Sequence, residues 1–226
     1  MASVPHAGLE VPPEAQPYCV LDHDAIVKDG DEQAREIYAI EDEVELFVTS
    51  DVARAVVDLN RPPDDRRVDG VVKTHTCWMV PVYDPFLPDD VAERLLARYH
   101  APYHRRLSEL AGQVPVGVDL HTMAARAPPV APVPGKARPG VCLSDASGTI
   151  PEEWMLRLVE AFDASFPDVS VQVNEPFQGG YIIRHHGTEM PWVQVELSRA
   201  PFCSVKEKRR RVLEALTHWC EAIGVT

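Results

Sequence analysis

The stretch "GVDLHTM", residues 117–123, alternates apolar residues with side chains that end in a carboxylate, an imidazole and a hydroxyl. Its alternation and β-branched content predict a strand, and an apolar run of this length predicts burial in a sheet. Burying a carboxylate and an imidazole is costly unless each is paired or holds a metal. Asp119 and His121 are two residues apart and so share one strand face. The segment therefore predicts either a satisfied structural pocket or part of a site.

Working outward, other segments end in the same way. "SVPHAG" (3–8) places His6 after a short apolar start, "RAVVDLN" (54–60) ends in Asp58 and Asn60 with Arg61 next, and "WVQVELS" (192–198) puts Gln194 and Glu196 on one face. Val- and Ile-rich runs at 44–50, 54–60, 114–121, 169–176 and 192–198 read as strands, and helical spacing recurs at 31–39, 89–112, 150–166 and 204–223. This alternation predicts an α/β fold, a three-layer sandwich in which a mixed, mostly buried sheet is flanked by helices. In such sheets ligands gather beyond the C-terminal ends of the strands, where these polar groups would converge.

Thr149 with Glu152 and Ser204 with Glu207 have capping-box spacing and mark two helix starts. Pro102 removes a backbone donor within "RYHAPYHRRL", which predicts a kink or break there. The proline-rich segment "AARAPPVAPVPGKARPG" (124–140) is a linker by composition, but its place directly after "GVDLHTM" suits the wall of a pocket better.

At 226 residues the chain reads as one domain, 1–226. A net charge of −13 argues against nucleic-acid and anionic-membrane partners. Five scattered cysteines without a CxxC pair disfavour both a disulfide framework and a thiolate metal site, and no apolar stretch is long enough to span a membrane. A cytoplasmic protein is expected. The sequence carries no signal for oligomeric state.

Two separated histidines plus a carboxylate match the composition of a catalytic zinc site, which lowers the pKa of water to ~7. No compact HExxH signature is present, so the alternative of hydrogen-bonded structural histidines stands at this point. The ordered set "SVPHAG", "DGDEQAREIY" (29–38), "VVDLNRPPDD" (56–65), "APYHRRL" (101–107), "VDLHTM" (118–123), "FQGGYIIRHHG" (177–187) and "VQVELSR" (193–199) resembles the N-formylglutamate amidohydrolase family across nearly the whole chain.

The resemblance implies a zinc-carboxypeptidase-like fold with about eight strands and Zn2+ as cofactor. It further implies hydrolysis of N-formyl-L-glutamate, or a related small N-acyl amino acid, to the amino acid and the free acid. Placed on the matching residues, the metal ligands are His6, Asp31 and His121, with Asp29 and Glu32 as competitors for the carboxylate. Glu196 is the general base, and Asn60, Arg61, Arg184 and His185 bind substrate. The first strand is shorter than the family pattern, and Glu32–Gln33 stands where some members carry an aromatic-His pair. A zinc carboxypeptidase or a deacylase for another acyl group is the alternative enzyme reading. A metal- or acid-binding module without turnover is the non-enzymatic one, which the presence of Glu196 disfavours.

Overall fold

In the computed structural model, which describes residues 1–225, a six-stranded mixed sheet is covered on both faces by helices. The strands are β1 (Ala2–Val4), β2 (Phe47–Thr49), β3 (Gly117–Met123), β4 (Val141–Ser144), β5 (Val171–Val173) and β6 (Trp192–Ser198), in the spatial order β2-β1-β3-β6-β4-β5. All pairings are parallel except β4 with β6. The helices are α1 (His23–Asp29), α2 (Ala34–Ile37), α3 (Asp89–Leu95), α4 (Ala101–Leu110), α5 (Glu152–Ser165), α6 (Tyr181–His186) and α7 (Val205–Ala222).

Every residue of β3 and of β6 is buried. Their period of two separates two chemistries. Val118, Leu120, Val193, Val195 and Leu197 join Leu158 and Phe162 of α5 and Val212, Ala215 and Trp219 of α7 in one apolar cluster. Each such side chain contributes about 1.5–3 kcal/mol on leaving water. The alternate residues Asp119, His121, Gln194 and Glu196 turn to the opposite face, and the β3–β6 register sets His121 directly beside Glu196 and Asp119 beside Gln194. A second apolar cluster, with Leu107 of α4, Ile182 and Ile183 of α6 and Trp192, closes that side around them.

Several elements depart from the sequence reading. Residues 54–60 form turns rather than a strand: Ala53 O accepts from the amides of both Val56 and Val57, and the four apolar side chains Ala55, Val56, Val57 and Leu59 are buried without a strand partner. A short apolar run fits a buried turn as well as a buried strand. Pro102 breaks nothing. Instead a π-helical turn at Leu96–His100, in which the Ala101 amide reaches back to Leu96 O, joins α3 to α4 and absorbs the missing donor. Thr149 is not a cap of α5, whose N-cap is Pro151; its hydroxyl lies 2.7 Å from the carbonyl oxygens of both Asp145 and Trp192, which share its one proton. Ser204 does cap α7, accepting from the Glu207 amide at 3.2 Å.

The segment 124–140 is no extended linker. Arg126 and Ala137 form an antiparallel bridge, flanked by bonds from the Ala127 amide to Lys136 O and from the Arg138 amide to Ala125 O. It is a hairpin-like flap.

A candidate metal centre

His6 follows β1 by two residues, Asp31 follows α1 by two, and His121 lies in β3. Three segments distant in sequence thus meet. His121 Nδ1 lies 3.2 Å from His6 Nδ1 and 3.0 Å from Asp31 Oδ2, and His6 Nδ1 lies 3.5 Å from the same oxygen. Four ligands at zinc distances of ~2.0–2.1 Å in a tetrahedron stand ~3.3 Å apart, so the triangle has the dimensions of one tetrahedral face. Among the described residues, these three are the group of His, Cys, Asp and Glu able to hold a metal ion.

The outer atoms of the triad are held as metal ligands usually are. His6 Nε2 donates to Asp58 Oδ1 at 2.8 Å, and His121 Nε2 donates to Asp119 Oδ2 at 2.7 Å. A carboxylate only accepts, so in both neutral rings the proton sits on Nε2 and the lone pair of Nδ1 points inward. Asp31 Oδ1 accepts from Arg54 at 3.0 Å, which leaves Oδ2 for the centre and for the Thr122 amide at 3.1 Å.

With an ion between the three donor atoms, both rings present their Nδ1 lone pairs to it; without one, a proton on His121 Nδ1 takes its place against Asp31 Oδ2. The surrounding charges favour a cation there in either case. Burial alone would lower the His121 pKa, but Asp119 and Asp31 hold it well above the ordinary value. Burial would raise the Asp31 carboxyl, yet His6, His121 and Arg54 hold it well below. Around the triad, the buried carboxylates of Asp29, Asp31, Asp58, Asp119 and Glu196 face the cations Arg54, Lys73 and Arg199, an excess of negative charge suited to a divalent ion.

The competing carboxylates are placed elsewhere. Asp29 is spent on Lys73 Nζ at 2.9 Å and the Cys77 amide at 2.6 Å, while Glu32 is exposed. Glu196 is buried and accepts from Gln194 Nε2 at 2.9 Å, and burial pushes its carboxyl above the ordinary value. It lines a cavity of about 990 Å³ together with Arg54, Thr122 and Arg199, each of which also approaches Asp31. The triad therefore lies directly behind residues that line the cavity, and the flap at 124–140 supplies part of its wall.

The remaining sequence-predicted residues divide. Arg61 lines the cavity and has only long contacts, 3.4 Å to the Asp69 carbonyl, 3.5 Å to the Asp69 carboxylate and 3.9 Å to Asp58. Asn60 sits behind His121 instead: its Oδ1 accepts from the Ile182 amide at 2.8 Å and its Nδ2 donates to Asp119 at 3.3 Å, so it props the carboxylate that His121 bonds. Arg184 and His185 are exposed on α6 and do not line the cavity; Arg184 is bound to the carbonyls of Gln178 and Gly179, and His185 stacks on Tyr181. His104 is structural. It bonds Leu59 O and His186, each at 2.9 Å, and burial among other imidazoles pushes its pKa down to about 3.

The orienting residues Asp58 and Arg54 were missed as such, although their i,i+4 spacing of opposite charge was readable. The family model of N-formylglutamate amidohydrolase matches residues 1–203.

The chain belongs to the N-formylglutamate amidohydrolase family.

It is 26% identical to an N-formylglutamate deformylase of Pseudomonas aeruginosa, over 97% of this chain and 92% of that protein. The crystal structure of an N-formylglutamate amidohydrolase from Ralstonia eutropha JMP134 superposes with a TM-score of 0.74 at 19% identity, covering 99% of this chain and 93% of that one. A gene product of Agrobacterium tumefaciens gives 0.72 at 16% identity, covering 99% and 90%. These two likenesses carry the α/β fold. Within it the sheet has six strands among the described residues, rather than about eight.

Proposed function

We propose that this protein hydrolyses the formamide bond of N-formyl-L-glutamate, releasing L-glutamate and formate, with Zn2+ held by His6, Asp31 and His121. The observation that carries the reading is the triangle of donor atoms 3.0–3.5 Å apart, with both histidines fixed from behind by buried carboxylates beside Glu196. When bound, the ion supplies Lewis-acid polarisation and an activated water.

The chain's own residues do the rest. Water adds to the formyl carbon, and Glu196, raised by burial and so a stronger base than an exposed carboxylate, accepts its proton. The C–N bond then breaks, and Glu196 returns that proton to the leaving amine nitrogen. Gln194 fixes the carboxylate during both transfers, since its amide bridges Glu196 Oε1 and the Gly180 amide. Arg61, at the cavity wall with only weak partners, binds one substrate carboxylate. Five cysteines without a disulfide among the described residues support a reducing, cytoplasmic setting.

The test is formate release from N-formyl-L-glutamate by zinc-loaded protein, set against chelator-treated protein and against N-acetyl and N-succinyl amino acids. Release from the formyl substrate that is lost with the metal supports the reading. Turnover of only another acyl group, or of none, rejects it.

A further inference from the structure

The cavity wall is rich in cations, and nearly all are already engaged. Arg54, Arg61, Arg67, Lys73 and Lys136 each face a carboxylate. Arg199 donates to the carbonyls of Gly30 and Thr122. Lys28 is exposed at the rim, over the Trp78 ring.

Arg138 differs from all of these. Among the described residues it has no ion pair, and its buried Nε has no hydrogen-bond partner. Its guanidinium lies 4.8 Å over the ring of Phe177, which also lines the cavity. The backbone beneath it is fixed by the flap pairing to Ala125. A half-buried guanidinium donor left unpaired is costly. That Nε is closed to solvent, so an incoming anion meets the outer nitrogens, and a guanidinium held over an aromatic face offers that end of its fork to a carboxylate.

We infer that Arg138 binds a carboxylate of the substrate, so that the flap selects dicarboxylic N-acyl amino acids. The inference rests on the proposed amidohydrolase reading, in which Arg61 takes the other carboxylate. N-formyl-L-glutamate carries two carboxylates, and the cavity offers one weakly engaged and one unengaged arginine. Burial lowers the Arg138 pKa, and Glu196, which lines the same cavity, opposes that fall, so the carboxylate and the guanidinium attract one another.

The experiment uses the full-length zinc-loaded protein with Arg138→Gln and Arg138→Lys. For Arg138→Gln, KM for N-formyl-L-glutamate should rise about 10- to 100-fold, the loss expected for a hydrogen bond to a charged group. Turnover number and zinc content should stay near wild type, and Arg138→Lys should lie between. With N-formyl-L-glutamine, a smaller rise assigns Arg138 to the side-chain carboxylate and an equal rise assigns it to the α-carboxylate; either supports the inference. An unchanged KM overturns it while leaving the amidohydrolase reading intact. If wild type turns over no formyl amino acid, calorimetric binding of glutarate decides separately. Binding that is lost in Arg138→Gln supports the inference, and binding that is unchanged, or absent from wild type, overturns it. Should Arg138→Gln misfold, the same readings are taken on Arg138→Lys, where an unaltered KM again rejects it.

Discussion

Replacing Asp119 by Asn tests the centre at its most informative point. Asp119 Oδ2 accepts from His121 Nε2 at 2.7 Å, and Oδ1 accepts from Ser3 Oγ at 2.8 Å. Asn has the same shape, and its amide oxygen can still accept from the ring while its NH2 meets a hydroxyl that rotates. The variant therefore keeps the hydrogen bonds and deletes the charge. A hydrogen bond to a charged group contributes about 1.5–3 kcal/mol and a neutral one about 0.5–1.5, so the difference is about 1–1.5 kcal/mol. That corresponds to roughly a tenfold weaker zinc affinity, at the lower end of the ~10- to 100-fold effect of residues that orient metal-bound histidines.

Asp119→Ala should approach the upper end, because it leaves His121 Nε2 buried and unpaired. Competition with a chromophoric chelator measures both affinities, and thermal unfolding of the metal-free variants checks that each still folds. Folded Asp119→Asn that holds zinc as tightly as wild type would refute the claim that Asp119 tunes His121. The same result for His121→Ala would remove the triad as the metal site.

Glu196→Gln should lose about 10²- to 10⁴-fold in kcat/KM with zinc stoichiometry unchanged; loss of the metal as well would point to a ligand instead of a base. Because burial raises the Glu196 carboxyl and the basic form is required, activity should fall as pH drops through a value above 4.5, the ordinary glutamate value. An acid limb below 4.5 in the kcat/KM profile contradicts the assignment. Gly180→Ala should weaken zinc binding and activity, since a Cβ there runs into the Asn60 amide that props Asp119. Gly112→Ala is the control: its φ of +77° makes alanine strained but nothing lies within 4 Å, so it should cost stability, about 1 kcal/mol, without touching zinc affinity.

What could be read from the sequence follows from what carries a period. "GVDLHTM" and "WVQVELS" alternate over seven residues, so their strands and the shared face of Asp119, His121 and Glu196 were legible. The strand β4 has four residues, and the helices α1 and α6 have seven and six, too few for a periodic signal. The histidines were visible because an imidazole at the end of an apolar run is chemically odd. Their partners were visible only in part. Asp119 shares a strand with His121, but Asp58 reaches His6 across 52 residues from a turn that reads like a strand. Arg184 and His185 belong to a distinctive motif, yet the face of a six-residue helix that looks inward is set by Ile182, Ile183 and His186. Arg138 was hidden in a segment whose composition says linker.

The position of that segment is nevertheless dictated by topology. In the sheet β6 lies between β3 and β4; β3 runs parallel to β6 and β4 antiparallel to it. The chain therefore leaves β3 and enters β4 at the same edge of the sheet, and must pass over the C-terminal end of β6, where Glu196 lies. Two strand spacings amount to about 10 Å, which three or four extended residues would span. Residues 124–140 are far more than that bridge requires, and the excess folds back on itself through the Arg126–Ala137 pairing. A single connection thus begins three residues beyond His121, crosses above Glu196 and carries Arg138 beside the cavity before β4. Its place above the site follows from strand order alone, and its surplus length is what lets it form a wall rather than a strap.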